Sequence, residues 1–234
     1  MIAKAENTVL SSKSDVKYQG RKTSRAGSEQ RRRLILEASL RIVIREGVRG
    51  IRHRAVAKEA NVPLAATTYY FKDIQELIND TFTLYAEQAL DVVNQFSMRL
   101  YEPISGGEGK SFLEAISNAS GMLEVIADNM TQYAIEQITE HREALVAEQA
   151  FRYEAILNPH LRKLGQVHKQ ALMQKLTDLM NLIQSPNPAA DANIVIAVLH
   201  RIEYEGLLVD PKDLNREEIR ATLLRQLTLM FSAK

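Results

Sequence analysis

Apolar residues recur at helical spacing through most of the chain beyond residue 28, and no stretch alternates apolar and polar positions for a useful length. Ile35, Ala38, Ile42 and Val43 form one stripe, and Gly47 supplies its C-terminal stop. A short helix is predicted from about Arg52 to Ala60, with Val56, Ala57 and Ala60 inward. Asn61-Val62-Pro63 reads as a turn, followed by a third short helix from about Leu64 to Tyr70. Asp73 with Glu76 has capping-box spacing, and the helix it opens continues to about Tyr101. At 1.5 Å per residue that is roughly 40 Å, long enough to connect two domains. Pro103 to Lys110 breaks it. Further starts are expected at Ser111 with Glu114, Asn158-Pro159, Asn187-Pro188 and Asn215 with Glu218. The predicted fold class is all-α.

The last two helices each carry more than one apolar stripe. Val195, Val198, Leu199, Ile202, Gly206 and Val209 make one face, and Ile196, His200, Tyr204 and Leu207 a second. The final helix repeats this with Ile219, Leu223, Leu227 and Met230 beside Leu224 and Phe231. A surface helix of a monomer needs one such stripe. The expectation is a two-fold homodimer through Val195, Val198, Leu199, Ile202, Gly206, Leu223, Leu227 and Met230, forming a four-helix bundle. The alternative is that both faces are buried within one chain.

Charge changes the picture only when the chain is divided. Over all 234 residues, 30 basic against 29 acidic side chains leave a net charge of +1. Residues 1–72 hold 16 Lys/Arg and 6 Asp/Glu, so the remainder is strongly acidic. A basic module joined to an acidic body points to a polyanion, and nucleic acid fits better than a membrane surface because the Arg31-Arg32-Arg33 cluster continues into a helix that must bury its own apolar face. Residues 1–27, rich in Ser, Lys, Arg and Gly without periodicity, read as a mobile basic arm. Residues 28–72 then form a three-helix module, and 73–234 a larger helical body entered through a connecting helix at 73–101.

The segment from Arg52 to Phe71 has the makings of a helix–turn–helix. Ala57 is small where the helices cross, and Asn61 tolerates the positive φ of the turn. Together with Arg32-Arg33-Leu34-Ile35-Leu36-Glu37-Ala38, Gly47, Val56-Ala57, Ala60-Asn61-Val62, Thr68-Tyr69-Tyr70-Phe71-Lys72 and Glu76-Leu77, it resembles the TetR family of bacterial transcriptional repressors over about residues 30–80. The resemblance implies a ligand-responsive homodimer that binds a palindromic double-stranded DNA operator. By that likeness, Arg54 reaches a base edge and Leu64, Ala65, Ala66, Thr68, Tyr69 and Tyr70 face the groove. Lys72, Arg52, His53, Arg31, Arg32 and Arg33 are expected near the phosphates or the groove edge. The chain departs from the family where Arg52 replaces a common capping Thr, and where Ile74 replaces a common Lys. A small-molecule effector pocket is also implied, for which the candidates are Phe112, Ile116, Met122, Ile126, Tyr133, Phe151, Met173, Met180, His200 and Tyr204.

Little competes with this reading. The chain has no cysteine, so disulfides and thiolate chemistry are excluded. Gly109-Lys110-Ser111 resembles the end of a phosphate-binding loop, yet Ile104 stands where the earlier glycine belongs. None of the five histidines lies in an H-E-x-x-H motif, and Glu203 and Glu205 point apart on a helix. No metal, cofactor or enzyme activity is expected. The longest apolar stretch, Ile194 to Leu199, is too short to span a bilayer, so the expected partners include no membrane and the expected location is the cytoplasm, on the nucleoid.

Overall fold

The computed structural model describes residues 17–21, 26–105 and 119–232, the side chains at 26, 100–105, 119 and 120 excepted. Among these residues there are nine α-helices and no strand. They are α1 (Ala26–Glu46), α2 (His53–Glu59), α3 (Leu64–Tyr70), α4 (Ile74–Ser105), α5 (Ala119–Thr139), α6 (Arg142–Leu157), α7 (Pro159–Leu182), α8 (Pro188–Leu207) and α9 (Arg216–Ser232). Two compact units result. Among the described residues, a head holds 17–90 together with 146–171, and a body holds 91–145 with 172–232.

Local chemistry accounts for the breaks between helices. Gly47 takes φ 75°, a left-handed conformation that ends α1, with its N–H donating to the Val43 carbonyl. Asn61 takes φ 51° between α2 and α3, as its residue type allows. At α4, Asp73 Oδ1 accepts the Glu76 N–H at 2.8 Å, while the Glu76 carboxylate reaches back to the Lys72 N–H. Asn158 and Asn215 cap α7 and α9 with their side-chain oxygens. Asn187 differs from expectation: it makes no side-chain cap, and Ser185 Oγ instead pairs with the Asp191 carboxylate across the start of α8. Helix α4 also runs past Pro103, where the sequence pattern placed its break, and ends at Ser105. The Ser111–Glu114 box lies outside the described residues.

The head is larger than the 28–72 segment expected. Three short helices cannot cover their own apolar faces, so Ile35, Leu36, Ile42, Val43, Val56 and Phe71 share a core with Leu77, Phe82, Leu84 and Tyr85 of α4. Phe151 of α6 and Leu161 of α7 complete it.

In the body, α9 packs chiefly on α5, and α8 on both. Ile138, Leu223 and Leu227 are fully buried at the centre, with Ala127, Ala134 and Ala192 providing close approach. Gly206 is part of this packing: a β-carbon there would lie 2.5 Å from Ile138 Cδ1.

Candidate nucleic-acid interface and apolar cavity

Helix α3 is sorted cleanly into two faces. Thr67 and Tyr70 point inward and Phe71, which follows, is fully buried. Leu64, Ala65, Thr68 and Tyr69, spaced as two adjacent positions per turn, are exposed, with Tyr69 53% accessible. Ala66 is half-buried between the faces. The α2–α3 crossing is held by buried Ala57, whose carbonyl accepts the Val62 N–H at 3.0 Å, and by a side-chain latch. Thr67 Oγ1 donates to the Leu64 carbonyl at 2.8 Å, so its contact with His53 Nδ1 at 3.1 Å makes the imidazole the donor.

Several sequence expectations are corrected here. His53 is half-buried and spends its Nδ1 on Thr67, so it is a latch between helices. Tyr70 is 5% exposed, edge-to-face with Tyr69, and its hydroxyl pairs with Ser28 Oγ at 2.9 Å. Its neighbour alone offers a ring to the exterior, because residues one apart on a helix diverge by about 100°. Arg32 is 4% exposed and belongs to the core: Nη2 donates to Asp80 Oδ2 at 2.5 Å, Nη1 to Glu29 at 3.2 Å, and the guanidinium stacks between Tyr18 and Phe71. It is not available to a phosphate. Nor are residues 17–21 free, since Gln19 and Gly20 donate backbone N–H groups to Asp80. Residues 1–16 and 22–25 of the expected arm lie outside the described residues.

The remaining cations divide by partner. Arg33 pairs with Glu37 at 3.0 Å, Arg41 with Glu59 at 2.9 Å, and Arg45 with both Glu46 and Glu59. The Arg41 and Arg45 hydrogen bonds hold the Glu59 carboxyl below its ordinary range. Arg31, Arg52, Arg54 and Lys72 are exposed and form no ion pair with a described residue. These four cations stand in the first turns of α1, at the start of α2 and two residues beyond α3, while the α1–α2 seam is zwitterionic.

The body holds an apolar cavity of about 270 Å³. Its described walls come from Val93 and Phe96 of α4, Met122, Ile126 and Tyr133 of α5, Leu172, Leu176 and Met180 of α7, and Val195, Ile196 and Leu199 of α8. Asn129 is the amide at the wall, and no described charged side chain lines it. Lys175, one position off the lining face of α7, is buried and bonded to Asn94, and burial pushes its ammonium below the ordinary lysine range.

Met122, Ile126, Tyr133 and Met180 were legible as pocket residues, and the others were not. Phe151 is in the head core against Phe82 and Tyr85. Met173 sits beside the lining face on the core side, His200 is half-buried and Tyr204 exposed, and none of the three lines the cavity. Phe112 and Ile116 lie outside the described residues. The α4 contribution was missed because that helix read as a connector.

The expected dimer stripe is turned the other way. Val195, Leu199, Ile202, Gly206, Leu223, Leu227 and Met230 are buried in the chain's own core, with Val198 packed at its margin. The outward stripes carry Ile194, Ala197, Arg201 and Tyr204 on α8 with Leu208 just beyond it, and Ala221, Arg225 and Leu229 on α9. Periodicity revealed two faces without saying which neighbour meets which.

The helix–turn–helix head and the all-helical body have the fold of TetR-family transcriptional regulators, as the likeness to solved structures shows. No protein-family model matches the chain. In sequence it is similar to the HTH-type transcriptional regulator PksA of Bacillus subtilis (strain 168), 34% identical over 71 residues that make up 30% of this chain and 35% of PksA. The match therefore spans about a third of that curated relative. In structure it is similar to a TetR-family member from Streptomyces coelicolor A3, with a TM-score of 0.63 and 23% identity over 84% of this chain and 98% of that one. The multidrug binding protein EbrR, crystallised with malachite green, aligns at a TM-score of 0.54 and 24% identity over 84% of this chain and 98% of that one.

Proposed function

We propose that the protein is a ligand-responsive transcriptional repressor that binds a palindromic operator as a homodimer. The observation that carries this reading is the outward face of α3, where Leu64, Ala65, Thr68 and Tyr69 are exposed between cations that have no carboxylate partner among the described residues. Small residues permit close approach to base edges, Thr68 and Leu64 offer apolar contact to a thymine methyl, and Tyr69 offers a hydroxyl to phosphate. Arg54 is the residue for bidentate recognition of guanine, and Arg31, Arg52 and Lys72 hold the backbone.

Two observations support a second copy on the outward faces of α8 and α9. Ile194, Tyr204, Leu208 and Leu229 are large and exposed. The Gln226 amide is buried with neither its oxygen nor its nitrogen bonded, in a surface hollow it shares with Ile194 and Leu229. A partner helix would cover the apolar groups and close the hollow that Gln226 lines.

The cavity supports an effector of one chemical class. A space of about 270 Å³ walled by aliphatic and aromatic groups takes an uncharged, largely apolar small molecule, oriented by Asn129 and Tyr133. Val93 and Phe96 of its wall belong to α4, the helix that begins directly after the DNA-reading segment. An effector releases DNA only by preferring the conformation with weaker operator affinity.

Selection of duplexes from a random library tests the reading. Enrichment of a two-fold symmetric sequence, released by uncharged apolar compounds that also raise Tm, is the expected result. Failure to enrich any sequence at moderate salt would refute it.

A further inference from the structure

Ahead of α1, residues 18–21 are tied to the head at every position. The Tyr18 hydroxyl donates to Glu87 at 2.6 Å, and its ring carries the Arg32 guanidinium 4.5 Å from the centroid. Gln19 N–H donates to Asp80 Oδ1 at 2.6 Å and Gly20 N–H to Asp80 Oδ2 at 2.9 Å, while Asn79 Nδ2 donates to the Gln19 carbonyl oxygen of the side chain at 3.0 Å. Arg21 N–H then donates at 3.1 Å to the carbonyl of Tyr70, the last residue of α3. Gly20 is buried, and a β-carbon there would lie 2.7 Å from Asp80 Oδ2 and 3.1 Å from the Phe71 ring. Only glycine fits this backbone approach.

We propose that this strap is a built part of the DNA interface, holding Arg21 beside α3 as an additional phosphate-binding cation. The inference rests on the nucleic-acid reading above. The Arg21 guanidinium lies 4.3 Å from the centroid of the Tyr69 ring, the one aromatic ring on the outward face of α3. Arg21 is exposed and forms no ion pair with a described residue, unlike Arg33, Arg41 and Arg45 on the same unit. A strap that only covered the core would be complete at Gly20. This one continues to the end of α3 and seats a charge on the ring expected to meet the backbone. Stacking fixes the guanidinium beforehand, so less side-chain freedom is lost when a phosphate arrives.

The test uses the full chain and a mixed-sequence 30-base-pair duplex as probe, with affinity measured from about 0.05 to 0.2 M salt. Arg21→Gln is expected to lower the slope of log K against log salt by about 0.9 per head, so that affinity falls roughly 3-fold less across that range. Amide exchange at residues 19–20 should stay protected in this variant. Gly20→Val is expected to lose the same slope and to expose the amides of residues 19–21 to exchange. An unchanged slope in Arg21→Gln, with wild type binding normally, overturns the proposal and leaves the nucleic-acid reading standing. Protected amides in a folded Gly20→Val chain overturn the strap's docking. A wild-type chain that binds no duplex overturns both. Should Gly20→Val not fold, Arg21→Gln still decides, because its position is exposed.

Discussion

Asp80→Ala is the substitution whose cost the structure defines most fully. Asp80 is 0% exposed and accepts three hydrogen bonds, from Arg32 Nη2 and from the backbone N–H groups of Gln19 and Gly20. Its ion-pair partner is itself only 4% exposed, so removing the carboxylate leaves a guanidinium deep in the head with Glu29 as its remaining carboxylate. Breaking a buried pair from one side costs about 3–5 kcal/mol, most of it the penalty of the stranded charge. With a urea dependence of about 1.5–2 kcal/mol/M, the head's midpoint should fall by roughly 2 M. Hydrogen exchange of α1 amides reads the head separately from the body, and should show opening roughly 100-fold or more easier. The pair is shielded from solvent, so the loss should hardly vary with salt. Replacing both members, as Arg32→Met with Asp80→Leu, should recover most of the lost stability, because no charge is then stranded. A loss under about 1 kcal/mol in the single variant, or a double variant no better than the single, would refute the reasoning.

Other expectations are narrower. Gly206→Ala sets a β-carbon against fully buried Ile138 and should cost the body about 1–3 kcal/mol in urea unfolding, partly restored by Ile138→Val. His168 packs edge-on against Phe82 and Tyr85 with Nδ1 unbonded, and burial holds its pKa below the usual imidazole value despite Glu148. The unfolded chain therefore takes up that proton first, so head stability should fall as pH drops below about 6.5, and His168→Gln should flatten the pH profile. Arg54→Ala should relax preference at one base position of a selected operator by about 1–3 kcal/mol, whereas Arg33→Ala, which removes an already paired charge, should leave both preference and salt slope unchanged in a binding titration. Ile196→Phe should fill the cavity and abolish the Tm rise produced by apolar compounds while DNA binding persists.

Short-range patterns in the chain were informative because the forces behind them are local. A glycine at 47 and an asparagine at 61 stand where the backbone turns left-handed, and the apolar stripe of α1 faces the core as its spacing requires. The outward placement of Leu64, Ala65, Thr68 and Tyr69 on α3 was legible for the same reason. What escaped depends on partners far apart in sequence. Arg32 meets Asp80 across 48 positions, and nothing near either residue distinguishes that arginine from Arg31 or Arg33. The strap was read as mobile because its anchors, Asn79, Asp80 and Glu87, lie a helix and more away. The cavity drew Val93 and Phe96 from a helix whose composition gave no sign of it, and the two-faced α8 needed its neighbours before inside and outside could be assigned.

On the proposed nucleic-acid reading, the closed ion pairs along the α1–α2 seam bear on how the head would meet a duplex. Glu37, Glu46 and Glu59 already satisfy Arg33, Arg41 and Arg45, so DNA colliding there displaces no bound ions and gains nothing by staying. A collision at the rim of α3 liberates ions at once. Encounters would thereby be sorted by angle of approach before a single base is sampled, and a badly oriented molecule would tumble away instead of sticking backwards.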